Sequence, residues 1–132
     1  MNYKEDAIKF FSSDLFAKDA CGIIIDEVNE NYAKCHFDIK AHHLNADGVV
    51  MGGAIFTLAD FTFAVAANAG NPVTVSQSCN ITYLSPAMGD YLYAEAKSVK
   101  SGKSTCFFIT NVYTNEDKLV ATVTSTGFRK MR

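Results

Sequence analysis

The sequence predicts an α+β fold in which a curved antiparallel sheet of five to six strands wraps around one long central helix. Three observations carry this expectation. Residues 53–69 are apolar nearly all round and rich in alanine, too long a run for an ordinary strand. Six strand-like segments surround that run in the chain, most of them joined by short connections that favour antiparallel neighbours. The chain has 132 residues, enough for one domain, 1–132, with one substantial core. A helix apolar on every side needs something wrapped round it, and a curved sheet does this.

Each element follows from local pattern. Residues 3–11 (YKEDAIKFF) put Tyr3, Ala7, Phe10 and Phe11 on one face, which predicts a short amphipathic helix. CGIIIDEVNE reads as a strand of about seven residues, closed by a tight turn at Asn29-Glu30-Asn31. In YAKCHFDIK, Ala33, Cys35, Phe37 and Ile39 face one way while Lys34, His36 and Asp38 face the other, the alternation of a half-buried strand. AHHLNADGVVMGG is a loop with a turn at Asp47-Gly48, and the helix over 53–69 is closed by Gly70, Asn71 and Pro72. Strands are expected over 74–84, 90–100, 104–114 and 118–128, with turns at Ser101-Gly102-Lys103 and Asn115-Glu116-Asp117 between the last three.

Composition narrows the function classes. Twelve basic and fourteen acidic residues give a net charge of −2, so no global basic field invites nucleic acid. Residues 53–69 form the one membrane candidate, but the run is short for a bilayer span, contains Asp60 and lacks basic flanks. The N-terminal residues mix acids, bases and aromatics without the apolar core of a secretion signal. Cys21, Cys35, Cys79 and Cys106 are widely spaced, without metal-ligand grouping, and each lies in a strand-like segment where a buried thiol packs as a small apolar residue. No metal and no cofactor are expected, and a reducing cytoplasmic setting is.

The stretch VVMGGAIFTLADFTFAVAANA, residues 49–69, raises the question of function. It holds a single carboxylate, Asp60, inside an apolar run, eight residues after Gly52. Burial disfavours the charged form of an acid and raises its basicity. A helix N-terminus offers unpaired N–H groups and partial positive charge, which suit a developing oxyanion, and glycine lets a substrate approach that backbone closely. Eight residues of helix amount to about 12 Å of rise and roughly 80° of rotation. Both groups must come within about 3 Å of the reacting atoms. Two antiparallel helices related by a two-fold axis meet that requirement, with Gly52 of one subunit facing Asp60 of the other, so at least a dimer is expected.

HLNADGVVMGGAIFTLAD (43–60) resembles the signature H-x-N-x-x-G-x-x-H-G-G-x-x-x-x-L-x-D of hotdog-fold thioesterases of the phenylacetate-degradation (PaaI-like) type. SQSCNITYLSPAMGD (76–90) is similar to that family's segment after the helix, and SGKSTCFFITNVY and LVATVTSTGF to its last two strands. Asn45, Gly48, Gly52, Gly53, Leu58 and Asp60 match; Met51 stands where the family commonly has histidine. The resemblance implies hydrolysis of an acyl-CoA thioester to free acid and coenzyme A. It makes Asp60 the catalytic base or nucleophile and the Gly52 amide the oxyanion donor. It has Asn45 and Ser76 orienting the thioester and water, and a tetramer built from two dimers.

Several positions keep two readings. Asp60 could be a buried acid hydrogen-bonded to Thr57, and Asn45 a simple turn residue. Ser76 lies on a polar stripe with Thr74, Ser78, Asn80 and Thr82. His43 fits the H-x-N pattern but is also an ordinary loop histidine, while His36 and His42 read as surface residues. Met51 and Gly53 border the same substrate region. Lys100, Lys103, Arg129 and Lys130 are candidates for coenzyme A phosphates, because bases near strand ends suit phosphate. A non-catalytic acyl-CoA-binding protein is the alternative to an enzyme, with Met51 as the residue that favours it. A hotdog hydratase or dehydratase fits less well, since its site relies on a histidine that this helix start lacks.

Overall fold

A computed structural model describes residues 2–130; Met1, Met131 and Arg132, which the expected domain span includes, lie outside the described residues. Helix α1 (Tyr3–Phe10) leads into a π-helical turn (Phe16–Ala20). Strands β1 (Ile24–Asn29) and β2 (Tyr32–Asp38) follow, then a 3-10 turn (Ala41–His43) and helix α2 (Gly52–Asn68). Strands β3 (Thr74–Tyr83), β4 (Tyr91–Ser101), β5 (Thr105–Thr114) and β6 (Leu119–Arg129) complete the chain. All six strands form one antiparallel sheet in the order β1-β2-β4-β5-β6-β3. This is the hotdog architecture that the apolar helix and the six strands predict.

The alternation of each strand sets its inner face. Ala33, Cys35 and Phe37 of β2, Leu92, Ala94 and Ala96 of β4, and Cys106, Phe108 and Val112 of β5 are all buried under α2. From α2 itself Leu58, Ala59, Phe63, Val65, Ala66 and Ala67 are buried, so the helix is enclosed on most of its circumference. Register shifts interrupt the β1–β2, β3–β6, β4–β5 and β5–β6 ladders, places where a strand bends and twists more strongly. At Gly127 of β6, packed between β5 and the helix, there is no room for a side chain. A Cβ on Gly127 would lie 2.7 Å from Cys106 Sγ and 3.1 Å from the Phe63 ring.

The two ends of α2 are finished differently. At the C-terminal end Asn68 Nδ2 donates to Ala64 O and Thr74 O, and Asn68 Oδ1 accepts from Thr74 N. The Arg129 guanidinium, 2% exposed, donates to Ala67 O, Thr74 Oγ1, Gly102 O and Ser101 Oγ. It therefore supplies positive charge to the carbonyl end of the helix, which the helix dipole favours. The expectation that Arg129 meets a phosphate is corrected here: its donors are spent inside the fold. Cys79 is also corrected, because edge strand β3 leaves it exposed, whereas Cys21, Cys35 and Cys106 are buried.

Element boundaries differ from the sequence reading by about a residue. Helix α2 starts at Gly52 and ends at Asn68, one residue earlier at each end, because Ala69 already has extended backbone and Met51 serves as N-cap. Helix α1 ends at Phe10, with Phe11 as its cap. Removing the Arg129 charge while keeping its bulk, as in Arg129→Met, leaves several acceptors unpaired at the end of α2. Stability should fall by about 3 kcal/mol, measured by denaturant unfolding.

Candidate active site

The N-terminal end of α2 has no counterpart to Arg129 or Asn68. Met51, the N-cap, makes no side-chain capping bond, and its exposed thioether is a poor acceptor. The first intrahelical bonds are those from Ala54 N and Ile55 N to Met51 O, so the amides of Gly52 and Gly53 have no acceptor among the described residues. The loop before them is tightly held. Met51 N donates to His43 O at 2.8 Å and Val50 N to Ala87 O at 2.9 Å. The N–H dipoles of this first turn thus face outward from a fixed frame, the arrangement an anionic oxygen requires.

His43 is part of that frame. It is 3% exposed and stacked on Phe37 with ring centroids 4.1 Å apart. Lys40 N donates to its Nδ1 at 2.9 Å, which leaves the ring proton on Nε2, where it is donated to Cys21 O at 2.9 Å. Burial pushes its pKa down, consistent with a neutral ring. With both nitrogens engaged, His43 shapes the loop from inside and has no free ring nitrogen for a substrate. His42, exposed, lies 2.9 Å from Ala20 O through Nε2. His36 is half-buried rather than on the open surface, its Nδ1 2.7 Å from Asp26 Oδ2.

Asn45 is exposed, and its Oδ1 accepts from Asp47 N at 2.9 Å and from Val49 N at 3.3 Å, the side-chain turn expected of Asn-Ala-Asp-Gly. Gly48 follows at φ 79°, a conformation that favours glycine. The Asn45 Nδ2 donor has no partner among the described residues. Tyr83, at the end of β3, supplies a contact that sequence reasoning missed. Its hydroxyl donates to Gly52 O at 2.9 Å, and a Cβ at position 52 would sit 3.0 Å from its ring. Strand alternation alone could not pair it with Gly52, thirty-one residues away in the chain.

Asp60 lies in the middle of α2, half-buried, and its carboxylate takes no hydrogen bond among the described residues. Thr57 does not satisfy it; that hydroxyl donates to Gly53 O at 2.8 Å. Burial, and secondarily the charge of Asp14, push the Asp60 pKa up. A carboxylate so placed is a stronger base than one in water.

The remaining candidates lie elsewhere in the chain. Ser76 is exposed near the start of β3, beside the register shift between Ser76 and Ser78. Lys100 and Lys103 are exposed around the β4–β5 turn, the end of the sheet that Arg129 ties to Ala67 near the C-terminus of α2. Gly52 is at the opposite end of that helix, about 24 Å away by helical rise. Within one chain, then, Met51, Gly52 and Gly53 share the helix start, Asn45 belongs to the turn of the loop before it, and Asp60, Ser76 and the lysines lie apart. No group of three His, Cys, Asp or Glu among the described residues is arranged to hold a metal ion. No helix among them is long and apolar enough to cross a membrane.

Fold and site together define a hotdog-fold protein whose one central helix has unpaired amides at its start and a partly desolvated carboxylate in its middle. Residues 47–121 match the family profile of the thioesterase superfamily. The chain is 33% identical over 118 residues to the acyl-coenzyme A thioesterase PaaI of Escherichia coli, covering 89% of this chain and 84% of that protein. The solved structure of E. coli PaaI, from the phenylacetic acid degradation operon, superimposes with a TM-score of 0.90 over 98% of this chain and 94% of that one, at 26% identity. A point mutant of the phenylacetic acid degradation protein PaaI from Thermus thermophilus has a TM-score of 0.80 and 31% identity, covering 86% of this chain and 97% of that one. The chain belongs to the thioesterase superfamily as a PaaI-like hotdog protein, and is a thioester hydrolase.

The unpaired Asp60 has a consequence for stability. Its folded pKa is raised above the unfolded value, so the folded state binds the proton more tightly. Below about pH 3.9 the group is protonated in both states and costs nothing, whereas the penalty develops as pH rises through the folded value. Asp60→Asn should therefore have a higher Tm than the wild type at pH 8, with the difference shrinking toward pH 3, measured by thermal scans across that range.

Proposed function

We propose that this protein hydrolyses acyl-CoA thioesters to free acid and coenzyme A at sites shared between two copies of the chain. The observation that carries the reading is the placement of the free Gly52 amide and the unpaired Asp60 eight residues apart on one helix, too far apart to serve a single carbonyl. In this reading the Gly52 N–H of one protomer binds the carbonyl oxygen, and Asp60 of its partner acts on the carbonyl carbon. Asp60 either takes a proton from water as that water attacks or attacks directly to form an anhydride that water then opens. Each route passes negative charge to the oxygen held by the helix N-terminus, and sulfur leaves as the coenzyme A thiol.

The sheet supports the same assembly. Among the described residues strand β3 pairs only with β6, which leaves its other edge, ten residues long, open to pairing, and apart from Thr74 and the half-buried Ile81 it is exposed on both faces. Such an edge is a template for a second strand. An antiparallel β3–β3 pairing about a two-fold axis reverses the ends of the strand. Ser76, near the start of β3 in one protomer, then comes toward the partner's strand end, where Tyr83 packs on Gly52. Ser76 and the Asn45 Nδ2 thereby gain a role in orienting thioester and water. Lys100 and Lys103 remain the candidates for the coenzyme A phosphates. A tetramer of two such dimers and a cytoplasmic setting complete the proposal.

Thiol release from a panel of acyl-CoAs tests the chemistry. Asp60→Asn should lower kcat/KM by about 10²–10⁴-fold. In the wild type kcat/KM should rise with pH through a pKa above the ordinary carboxylate range, since the ionised form is the active one. Equal activity in Asp60→Asn and wild type would overturn the assignment, and binding without turnover by the wild type would make this an acyl-CoA-binding protein instead. Mixing inactive Asp60→Asn with inactive Gly52→Pro, which removes the oxyanion N–H, should restore activity by forming one intact site per mixed dimer. A monomer at assay concentration would sink the shared site.

A further inference from the structure

Strand β3 leaves a row of side chains on the helix side of the sheet without cover. Cys79, Ile81 and Tyr83 stand opposite Ser125, Val123 and Ala121 of β6. Those three are fully buried, yet Cys79 and Tyr83 are exposed and Ile81 is half-buried. Directly opposed residues share a face, so the concave surface that encloses α2 runs on past β6 and ends uncovered at the edge. Resting on the shared-site reading, we propose that the two-fold axis of the dimer crosses β3 at Ile81, so that Ile81 packs on the partner's Ile81 and Cys79 on the partner's Tyr83.

The position of the axis follows from the way β3 is tied to α2 at both ends. Tyr83 donates to Gly52 O at one end, and Thr74 is bonded to Asn68 at the other, so strand and helix run side by side in opposite directions. With Gly52 of one protomer facing Asp60 of its partner, the axis crosses α2 midway between the two, at Phe56. Phe56 lies about 6 Å of rise from Gly52. The same distance along β3 from Tyr83 is about two residues, which reaches Ile81. A two-fold axis normal to an antiparallel pair sets one residue opposite its own copy. Ile81 suits that place, because it is aliphatic and packed in part against the core but not closed off. Its copy across the axis supplies the missing cover.

The register decides what else meets. From Ser78 to Tyr83 the pairing of β3 with β6 is regular, so positions count off evenly on either side of the axis. Cys79, two residues before Ile81, falls opposite the partner's Tyr83, with Cβ atoms about 4.5–5.5 Å apart. The thiol of one protomer then rests against the ring whose hydroxyl holds Gly52 O in the other. On the outer face Asn80 falls opposite the partner's Thr82, a pair able to hydrogen-bond, and the axis makes that pair twice. The two Cys79 thiols are kept apart, because each lies four strand positions, about 13 Å, from the point opposite the other.

Disulfide trapping in the full chain, with dissolved oxygen as oxidant and copper-phenanthroline as catalyst, reads the register directly. Cys21, Cys35 and Cys106 are buried, so Cys79 is the thiol that reports in the wild type. Wild type should stay free of cross-links, since cysteines with Cα atoms more than about 7 Å apart are not bridged. In a Cys79→Ser background, Ile81→Cys should shift most of the chain from monomer to covalent dimer on a non-reducing gel. Tyr83→Cys should cross-link where Cys79 is present and lose that cross-link in the Cys79→Ser background. Cross-linking of the wild type through Cys79, expected of a ladder centred on the strand, overturns the proposal. So does a missing cross-link in Ile81→Cys, whether or not Asn80→Cys or Thr82→Cys forms one instead. Cross-links at Ile81→Cys in a protein that hydrolyses no acyl-CoA in any form would uphold the register and overturn the hydrolase reading. Wild-type hydrolysis together with cross-links that put the axis elsewhere would do the reverse.

Discussion

The burial of α2 in the concave face of the sheet is the constraint on which the rest of this structure depends. A helix enclosed on most sides cannot display polar groups along its length without cost, so those it keeps stand out. Its carbonyl end is buried and is satisfied by Arg129 and Asn68, which leave little unpaired. Its amide end opens at the surface without a capping side chain, and the N–H groups of Gly52 and Gly53 stay free. The same helix carries Asp60 at partial burial, where the energy that packing supplies is used to hold a carboxylate away from full solvation.

The loop before α2 shows how the free amides are held in place. His43 looks in the sequence like a surface loop residue matching a family pattern, but it is a buried spacer. Its ring links Lys40 N and Cys21 O, while its own carbonyl takes the Met51 N–H. Asn45 folds the turn over its own Oδ1, and Tyr83 clamps Gly52 O from the end of β3. These contacts fix the direction of the first helical turn without capping it, which is the preorganisation an oxyanion site needs. Met51, where the family commonly has histidine, contributes a cap position without a cap.

Much of the fold was legible because it follows local periodicity. The alternation in β2 and the unbroken apolar run of α2 are each imposed by burial on one element at a time, and boundaries there agree within a residue or two. Cys79 broke the pattern because β3 sits at the sheet edge, where no alternation of residues reports which face is covered. Arg129 was misread for a related reason. A basic residue at a strand end looks like solvent-exposed charge, and only the crossing of β6 under the end of α2 turns it inward.

The sequence by itself determined that one apolar helix would be enclosed by an antiparallel sheet, and that Gly52 and Asp60 are too far apart on it to meet one atom. Helical rise and the period of strands are properties of short segments, so a linear reading reaches them. Only the tertiary structure decided the strand order that puts β3 at an edge, the packing of Tyr83 on Gly52 and the inward turn of Arg129. Each joins residues distant in the chain, and long-range contacts depend on which surfaces the whole fold covers, which no local pattern encodes.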